Sequence, residues 1–242
     1  MLDAIKLKYF QGRKYIKDIE NAPMKEQFRG FPIIKKGDVD CSCCPTGALK
    51  INPNSIDMGK CTFCGNCKCE AIQFSNFYKL GSTKKENLII KENMTEKDFE
   101  KIAIQSRKEI KKTFSKSLKL RQVSAGGCNG CEMELNACSN ANFDMGRFGI
   151  DFVASPRHAD GLVITGPITK NMASALDDCY QSTPDPKIVI LTGSCAISGG
   201  IFQNSKELNR EFTDKYQIDL YIPGCPVHPL TFINAVLNFI RH

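Results

Sequence analysis

The sequence predicts an α/β protein in which a parallel-sheet domain at the C-terminus follows a small α+β module and a linker helix. Two observations lead to this class. After residue 120, short β-branched runs such as GLVIT and KIVIL alternate with stretches of helical pattern, which is typical of a parallel sheet with helices on its faces. Before residue 95, cysteine-rich turns separate short apolar pieces, and this alternation is missing.

The predicted elements follow the apolar periodicity. Strands are predicted at 31–34, 120–123, 148–153, 161–165, 187–191 and 218–222, and helices at 169–182, 205–215 and 229–240. Thr95, with an acidic residue three positions on, is close to a capping box and predicts a helix start. We interpret that helix, ending near Leu118, as amphipathic and packed on the protein; binding to a membrane surface is the alternative.

The cysteine content narrows the function. The chain has 242 residues and 13 cysteines but only three histidines, and 42% of its residues are hydrophobic. This hydrophobic content supports packed cores and argues against global disorder. Because the N-terminus lacks a signal-peptide core, we expect a cytoplasmic protein whose cysteines bind metal rather than form disulfides. All-thiolate ligation suits iron–sulfur clusters or zinc.

The charge is unevenly distributed. Residues 1–120 contain 24 Lys and Arg against 14 Asp and Glu, whereas residues 121–242 contain 9 against 12. A basic half can indicate nucleic acid, anionic lipid or an acidic redox partner. The lysines are dispersed with few aromatic residues between them, so we interpret most of them as a solvated face and expect no nucleic acid as a partner.

The first cysteine group contains the motif Cys61-x2-Cys64-x2-Cys67. It matches the first three ligands of the bacterial ferredoxin pattern, in which tight turns direct several thiolates at one iron–sulfur cube. Cys44, followed by proline, supplies the Cys-Pro part of that pattern, so these four cysteines are predicted to bind a [4Fe-4S] cluster. The alternative is a zinc site on Cys61, Cys64 and a second pair, against which the Cys-Pro-Thr-Gly-Ala context argues.

A second ferredoxin-type set is incomplete. It would need three evenly spaced cysteines before Cys44, where only Cys41 and Cys43 occur. Cys69 lies two residues too early for the remaining ligand, and no proline follows it. We interpret Cys41, Cys43 and Cys69 as remnants or as ligands of an irregular site.

Three glycine-rich turns in the C-terminal half contain four more cysteines. Cys128 and Cys131 lie in GGCNGCEME, Cys195 in TGSCAISGG and Cys225 in YIPGCPVHP. Each turn directly follows a predicted strand. Because ligands gather at the carboxyl ends of the strands of a parallel sheet, the four thiols are predicted to converge there and to hold one cluster.

Four segments are therefore predicted. Residues 1–30 are polar and lysine-rich and form an extended arm or a docking segment. Residues 31–94 form a ferredoxin-like module, 95–119 the linker helix, and 120–242 the sheet domain.

The C-terminal motifs resemble the small subunit of nickel–iron hydrogenases and its relative, the 20 kDa subunit of respiratory complex I. The resemblance covers about residues 120–240 and rests on the three cysteine turns together with SPRHAD (155–160) and TGPIT (165–169). It implies a flavodoxin-like domain that binds no flavin and in which Cys128, Cys131, Cys195 and Cys225 ligate the proximal [4Fe-4S] cluster. The Cys-x2-Cys spacing favours the energy-converting, group 4 hydrogenases, because the complex I subunit has two adjacent cysteines there. Some members of that group carry a fused ferredoxin-like segment.

The resemblance implies an electron-transfer subunit rather than a self-contained catalyst. The nickel–iron centre would lie in a separate hydrogenase-type large subunit, and this chain would relay electrons between it and a ferredoxin-like electron-transfer subunit. The N-terminal cluster would be the outer one. Membrane subunits of the complex would hold the chain at the inner face of the cell membrane. The alternative is a cluster-bearing subunit of a complex I-like ferredoxin, NADH or quinone oxidoreductase.

Several other residues are candidates for supporting roles. Glu134 would transfer protons near the large-subunit interface, or would only stabilise the start of its helix. Arg157 and His158 would tune the proximal cluster or face the partner. His228 would hold its loop.

Two further cysteines are interpreted as structural, and two further functions are disfavoured. Cys138 and Cys179 lie on predicted helices and are interpreted as core thiols. An assembly module that kept the fold but lost electron transfer would not need the four cysteines of the C-terminal turns. A stand-alone flavoprotein is disfavoured because cysteine turns occupy the loops where a flavin phosphate would bind.

Overall fold

A computed structural model describes residues 2–11, 15–39, 42–67, 69–106 and 108–241. The strands are β1 (Pro32–Ile34), β2 (Leu49–Lys50), β3 (Ser55–Asp57), β4 (Ile72–Phe74), β5 (Ile89–Lys91), β6 (Leu118–Ser124), β7 (Ile150–Phe152), β8 (Gly161–Thr165), β9 (Ile188–Thr192) and β10 (Leu220–Ile222). The α-helices are α1 (Leu2–Gln11), α2 (Glu96–Ala103), α3 (Lys108–Phe114), α4 (Gly130–Ala137), α5 (Lys170–Ser182), α6 (Ser194–Ser198), α7 (Glu211–Lys215) and α8 (Pro229–Arg241).

The C-terminal half contains a five-stranded, all-parallel sheet in the order β10-β9-β8-β6-β7. If β6 to β10 are renumbered 1 to 5 and the sheet is read from the β7 edge, the strand order is 2-1-3-4-5. This is the order of flavodoxin-like folds. Every residue of β8 and β9 is buried, as expected for parallel strands covered by helices on both faces. The predicted fold class is confirmed.

Helix α8 packs against α3, α4 and β10 and closes one side of the sheet. It begins with Pro229, which suits the first helical position because the missing N–H has no partner there in any case. All of its residues except Asn238 and Arg241 are buried. A helix that is apolar on nearly all sides is held by tertiary packing more than by its own propensity.

The N-terminal half contains two small antiparallel sheets, β1–β4 and β2–β3–β5. They do not form a separate core. Phe31, Ile56 and Leu88 belong to the same buried cluster as Leu162 and Leu191 of the large sheet. The division into four segments remains a prediction, and the cysteine-rich module packs directly against the sheet domain.

The N-terminal arm and the linker differ from their predictions. The N-terminal arm is helical over Leu2–Gln11 rather than extended, because it consists mainly of good helix formers such as Leu, Ala and Lys. The linker is two helices rather than one, since Ile104 adopts an extended backbone (φ −119°, ψ 113°) after α2. The capping box at Thr95 is present, as predicted. The linker segment also ends earlier than predicted, because β6 begins at Leu118.

The helix predicted over 205–215 is reduced to α7. The preceding residues instead bind the loop before α5. The N–H of Lys170 donates to the carbonyl of Glu207, and the N–H of Asn209 donates to the carbonyl of Ile168. These tertiary hydrogen bonds replace the intrahelical ones that the pattern alone favours.

In the described part of the chain, no helix combines the length and hydrophobicity needed to cross a bilayer.

Candidate metal centre

The turn after β9 and the turn after β10 are joined by two backbone hydrogen bonds. The N–H of Gly193 donates to the carbonyl of Ile222 at 2.8 Å, and the N–H of Ser194 donates to the carbonyl of Gly224 at 2.9 Å. The first turn holds Cys195 and the second Cys225. The parallel pairing of β9 with β10 therefore delivers both cysteines to the same edge.

The turn after β6 lies beside these two. A Cβ atom built on Gly193 would lie 2.7 Å from the Sγ of Cys131, and one on Gly130 would lie 3.5 Å from the Cβ of Pro226. The backbone N–H of Val227 donates to the thiol of Cys131. All three turns thus meet at the carboxyl edge of the sheet, and we call their four cysteines (Cys128, Cys131, Cys195 and Cys225) the sheet-edge site.

The thiols of the sheet-edge site share a partly desolvated environment. Burial and then the charges of Glu132 and neighbouring cysteines raise the pKa of Cys131 to about 12. Burial, Cys225 and Cys128 raise the pKa of Cys195 to about 11. Cys128 and Cys225 are exposed, whereas the other two thiols are half-buried. A metal centre bound here must displace thiol protons, which is how cysteine ligation proceeds.

Glu132 supports this edge from within, and the sequence alone does not single it out. The Oγ of Ser124 and the Oγ1 of Thr165 both donate to its Oε1, each at 2.6 Å. These two residues end β6 and β8, so the carboxylate ties α4 to two strand ends. Two features of the sequence could have indicated this contact. A hydroxyl residue ends each of the two strands, and a glutamate directly follows Cys131.

Arg210 is a second residue that sequence reasoning misses. Its half-buried guanidinium donates to the carbonyls of Pro167, Cys195, Ala196 and Ile197 at 3.2, 3.4, 2.7 and 3.1 Å. No local motif marks it, because it lies 15 positions after Cys195 and outside the cysteine turns.

Glu134 and His228 border a cavity of about 260 Å³ next to Cys225, which Phe63 also lines. Burial raises the pKa of Glu134 and lowers the pKa of His228. The Nδ1 of His228 accepts the N–H of Leu230 at 3.1 Å, which agrees with its interpretation as a residue that holds the loop.

Other sequence candidates lie apart from the sheet-edge site. Arg157 and His158 are exposed on a short 3₁₀ turn just before β8 begins, whereas the cysteine turns follow the ends of their strands. Cys138 is buried in the core, as predicted. Cys179 is half-buried and hydrogen-bonded to the side chain of Arg121.

The N-terminal cysteines Cys44, Cys61, Cys64 and Cys67 also lie together, and we call them the module site. Burial, followed by Cys67, Cys44 and Cys64, raises the pKa of Cys61 to about 12. Burial and then Cys43 raise the pKa of Cys67 to about 11, so Cys43 lies at this site as well. These charge effects indicate that the thiols lie near one another, and their role as ligands remains a prediction.

Backbone N–H groups point at sulfur atoms of the module site. The N–H of Ala48 donates to the Sγ of Cys44 at 3.2 Å, and the N–H of Phe63 donates to the Sγ of Cys61 at 3.3 Å. Burial opposes ionisation of Cys44, but the backbone donors outweigh it and its pKa is lowered. Donors of this kind stabilise thiolate ligands. Cys69 is exposed, and Cys41 lies outside the described residues.

The turns that carry the two sites are in direct contact. The Oγ of Ser194, the residue before Cys195, donates to the carbonyl of Cys61 at 2.5 Å. The charge of Cys64 acts on the thiol of Cys225 and raises its pKa, after the larger effects of burial and Cys128. One hydroxyl therefore joins a ligand turn of the module to a ligand turn of the sheet.

The chemistry of both donor sets fits an iron–sulfur cluster. No three described His, Cys, Asp or Glu side chains lie close enough to hold a single metal ion. Each site offers four thiols and backbone N–H groups directed at sulfur, which are the ligands and the hydrogen bonds that these clusters use.

A flavodoxin-like sheet with four thiols at its ligand-binding edge has the architecture of an iron–sulfur subunit of an oxidoreductase. Comparison with known proteins agrees with this class. Residues 128–239 match the family described as NADH ubiquinone oxidoreductase, 20 kDa subunit. The chain belongs to this family, whose members carry a [4Fe-4S] cluster.

Relatives share about half of this chain. A probable membrane-bound hydrogenase subunit of Pyrococcus furiosus is 40% identical over 115 residues, which are 48% of this chain and 69% of that protein. Formate hydrogenlyase subunit 7 of Escherichia coli is 46% identical over 118 residues, 49% of this chain and 46% of that protein. An NADH-quinone oxidoreductase subunit of Bacteroides thetaiotaomicron is 40% identical over 112 residues, 46% of this chain and 57% of that protein. The resemblance inferred from the cysteine turns is confirmed.

Proposed function

We propose that this chain is the iron–sulfur electron-transfer subunit of an energy-converting nickel–iron hydrogenase. It would relay electrons between a ferredoxin-type donor and the active centre in a partner large subunit. The observation that carries the proposal is the convergence of four thiols at the carboxyl edge of a flavodoxin-like sheet. The hydrogenase subunits among its relatives support the choice of complex.

The sheet-edge site would hold the proximal [4Fe-4S] cluster, and the module site a second one. When bound, these clusters supply one-electron oxidation and reduction. The protein's part is to place them: the Ser194 hydroxyl holds the Cys61 loop against the sheet edge, and backbone N–H groups donate to sulfur. The two cofactor sites of the relay would then be neighbours within one chain.

Two exposed apolar side chains, each close in sequence to a predicted ligand, support a partner subunit at the sheet-edge site. Met133 lies two residues after Cys131 and is 65% exposed, and Ile201 lies six residues after Cys195 and is 60% exposed. Cys128 and Cys225 also reach the surface. A hydrogenase-type large subunit that covers these residues would bring its active centre close to the cluster.

Glu134 is proposed as a proton carrier on the same side. Its pKa is raised by burial, so its carboxyl group holds a proton more readily than an exposed glutamate does.

The remaining partners follow from the class of complex: a ferredoxin-like electron-transfer subunit, and membrane subunits that keep this chain peripheral on the inner face of the membrane.

Iron and sulfide analysis of the anaerobically purified chain tests the proposal. We expect about eight iron and eight sulfide per chain from two cubes, and about four of each in Cys195→Ser. Cys179→Ser, which alters a half-buried cysteine outside both sites, is the control and should keep the full content. Zinc without iron in the wild-type protein would refute the proposal.

A complex I-like oxidoreductase is the second candidate. The quinone oxidoreductase subunit from Bacteroides is as similar to this chain, at 40% identity, as the Pyrococcus hydrogenase subunit. Purification of the native complex through a tag on this chain distinguishes the two. Nickel in the complex, with cysteine pairs in the large subunit, supports the hydrogenase; a large subunit without them supports the second candidate.

A further inference from the structure

The C-terminal end of α6, the helix that contains Cys195, is capped by the guanidinium of Arg210. A five-residue helix leaves most of its carbonyls without partners inside the helix. Arg210 donates to three of them, the carbonyls of Cys195, Ala196 and Ile197. One side chain therefore fixes the backbone of the turn that contains Cys195.

The same guanidinium also reaches the loop after β8. Its Nη1 donates to the carbonyl of Pro167 at 3.2 Å. The preceding residue, Gly166, lies against the turn after β6, because a Cβ atom on Gly127 would lie 2.9 Å from the Cα of Gly166. Arg210 thus connects the Cys195 turn to the loop that supports the Cys128 turn.

The positive charge of Arg210 lies beside the sheet-edge site. The Nη1 of Arg210 lies 3.4 Å from the carbonyl oxygen of Cys195, so the charge lies beside the backbone of a predicted ligand of the sheet-edge site. At the module site, backbone N–H groups of Ala48 and Phe63 donate to the Sγ atoms of Cys44 and Cys61. Glu132 places the opposite charge beside the sheet-edge site.

We propose that Arg210 is a positioning residue that fixes the Cys195 turn and raises the reduction potential of the cluster in the sheet-edge site. The inference rests on the proposed function, in which this site holds a cluster. Reduction adds one electron from the complex's donor and makes the site more negative, so a nearby cation in a partly desolvated place stabilises the reduced form.

Redox titration of the anaerobically purified full chain, followed by EPR, tests this role. In Arg210→Gln, we expect the ratio of reduced to oxidised sheet-edge cluster at the wild-type midpoint to fall about tenfold, which is a midpoint about 59 mV lower. Arg210→Lys keeps the charge and should keep the wild-type potential. Arg147→Gln removes an exposed arginine that stacks on Tyr15 and Phe148, and it should change nothing. The potential of the module cluster should stay constant in all variants.

An unchanged potential in Arg210→Gln would overturn the inference, as would an equal shift in Arg210→Gln and Arg210→Lys. If the glutamine variant does not retain the cluster, Asp214→Asn supplies the test. Asp214 is exposed and opposes the charge of Arg210, so its neutralisation should raise the potential, and no change would refute the role. If the wild-type chain contains no sheet-edge cluster, the proposed function itself is wrong. If the cluster is present but its potential does not change in the Arg210 variants, only this inference is wrong.

Discussion

At the scale of single residues, the sheet-edge site is held by buried polar contacts that no cysteine motif specifies. Glu132 is 6% exposed and accepts two hydroxyl hydrogen bonds, while Arg210 donates to four carbonyls nearby. These two side chains join turns that follow different strands. The geometry of the thiols therefore depends on residues other than the thiols.

Glu132→Ala should destabilise the protein by about 1–3 kcal/mol, because the fully buried hydroxyl of Thr165 loses its carboxylate acceptor. For a chain of this size, each kcal/mol corresponds to a fall in Tm of about 2–4 °C. Thermal unfolding under anaerobic conditions measures the change. Glu132→Gln keeps an acceptor oxygen and should lose less. A Tm for Glu132→Ala equal to that of the wild type would show that the buried contacts contribute nothing.

Gly193→Ala should abolish the sheet-edge cluster. Its Cβ atom would lie 2.7 Å from the Sγ of Cys131, closer than van der Waals contact permits, and would push this ligand away. Iron content of the anaerobically purified variant should fall by about half if two cubes are bound. Gly47→Ala is the matched control, because Gly47 also has a positive φ (+61°) but nothing lies within 4 Å of the added Cβ. Equal iron loss in both variants would mean that backbone strain, not the clash with the ligand, is responsible.

At the scale of elements, α6 is the junction between the module and the sheet. Its first residue, Ser194, binds the carbonyl of Cys61, and its Ile197 packs so close to Gly59 that a Cβ there would lie 2.8 Å from the Cγ2 of Ile197. The short helix that contains Cys195, a predicted ligand, thus also makes the contact with the module. Its position depends on both halves of the chain.

Ser194→Ala should lower stability by about 1–3 kcal/mol, because the carbonyl of Cys61 keeps its buried position but loses a donor. Ser198→Ala is the control, since its hydroxyl donates within the same helix, to the carbonyl of Ser194 at 3.0 Å. Anaerobic thermal unfolding of the two variants compares a contact between the module and the sheet with a contact inside α6. If Ser198→Ala lowers the stability more than Ser194→Ala does, α6 is not the junction between the module and the sheet.

Helices and strands are predicted well where the nearby sequence alone determines them. β8 and β9 are continuous apolar runs, and the predicted 161–165 and 187–191 agree with the structure to within one residue at each end. The linker and the 205–215 segment are predicted less well, because Ile104 and Asn209 take part in tertiary contacts that override helical propensity.

The site is predictable to the extent that topology decides it. Turns after parallel strands meet at one edge, so the meeting of the four C-terminal cysteines follows from the strand pattern. The contacts of Glu132 and Arg210 could not be predicted, since each joins residues on separate elements. Thr165, for example, lies 33 positions from the carboxylate it binds. The ligand roles of the eight cysteines remain predictions.

At the scale of the whole molecule, the cysteine-rich module and the sheet share one core and place two thiol sites side by side. Such proximity matters because electron transfer between cofactors requires a short distance. The two sites also differ in their surroundings: backbone N–H groups donate to Cys44 and Cys61, whereas Arg210 binds the carbonyl of Cys195 and Glu132 binds the ends of β6 and β8. We therefore expect two clusters of different potential in one chain.

EPR spectroscopy of the fully reduced, anaerobically purified chain tests the relay most directly. We expect a spectrum broadened by magnetic interaction between two neighbouring reduced clusters. Cys61→Ser removes a buried thiol that is a predicted ligand of the module cluster, and we expect the simpler spectrum of a single cluster. A wild-type spectrum without any cluster signal, or one unchanged by Cys61→Ser, would contradict the account.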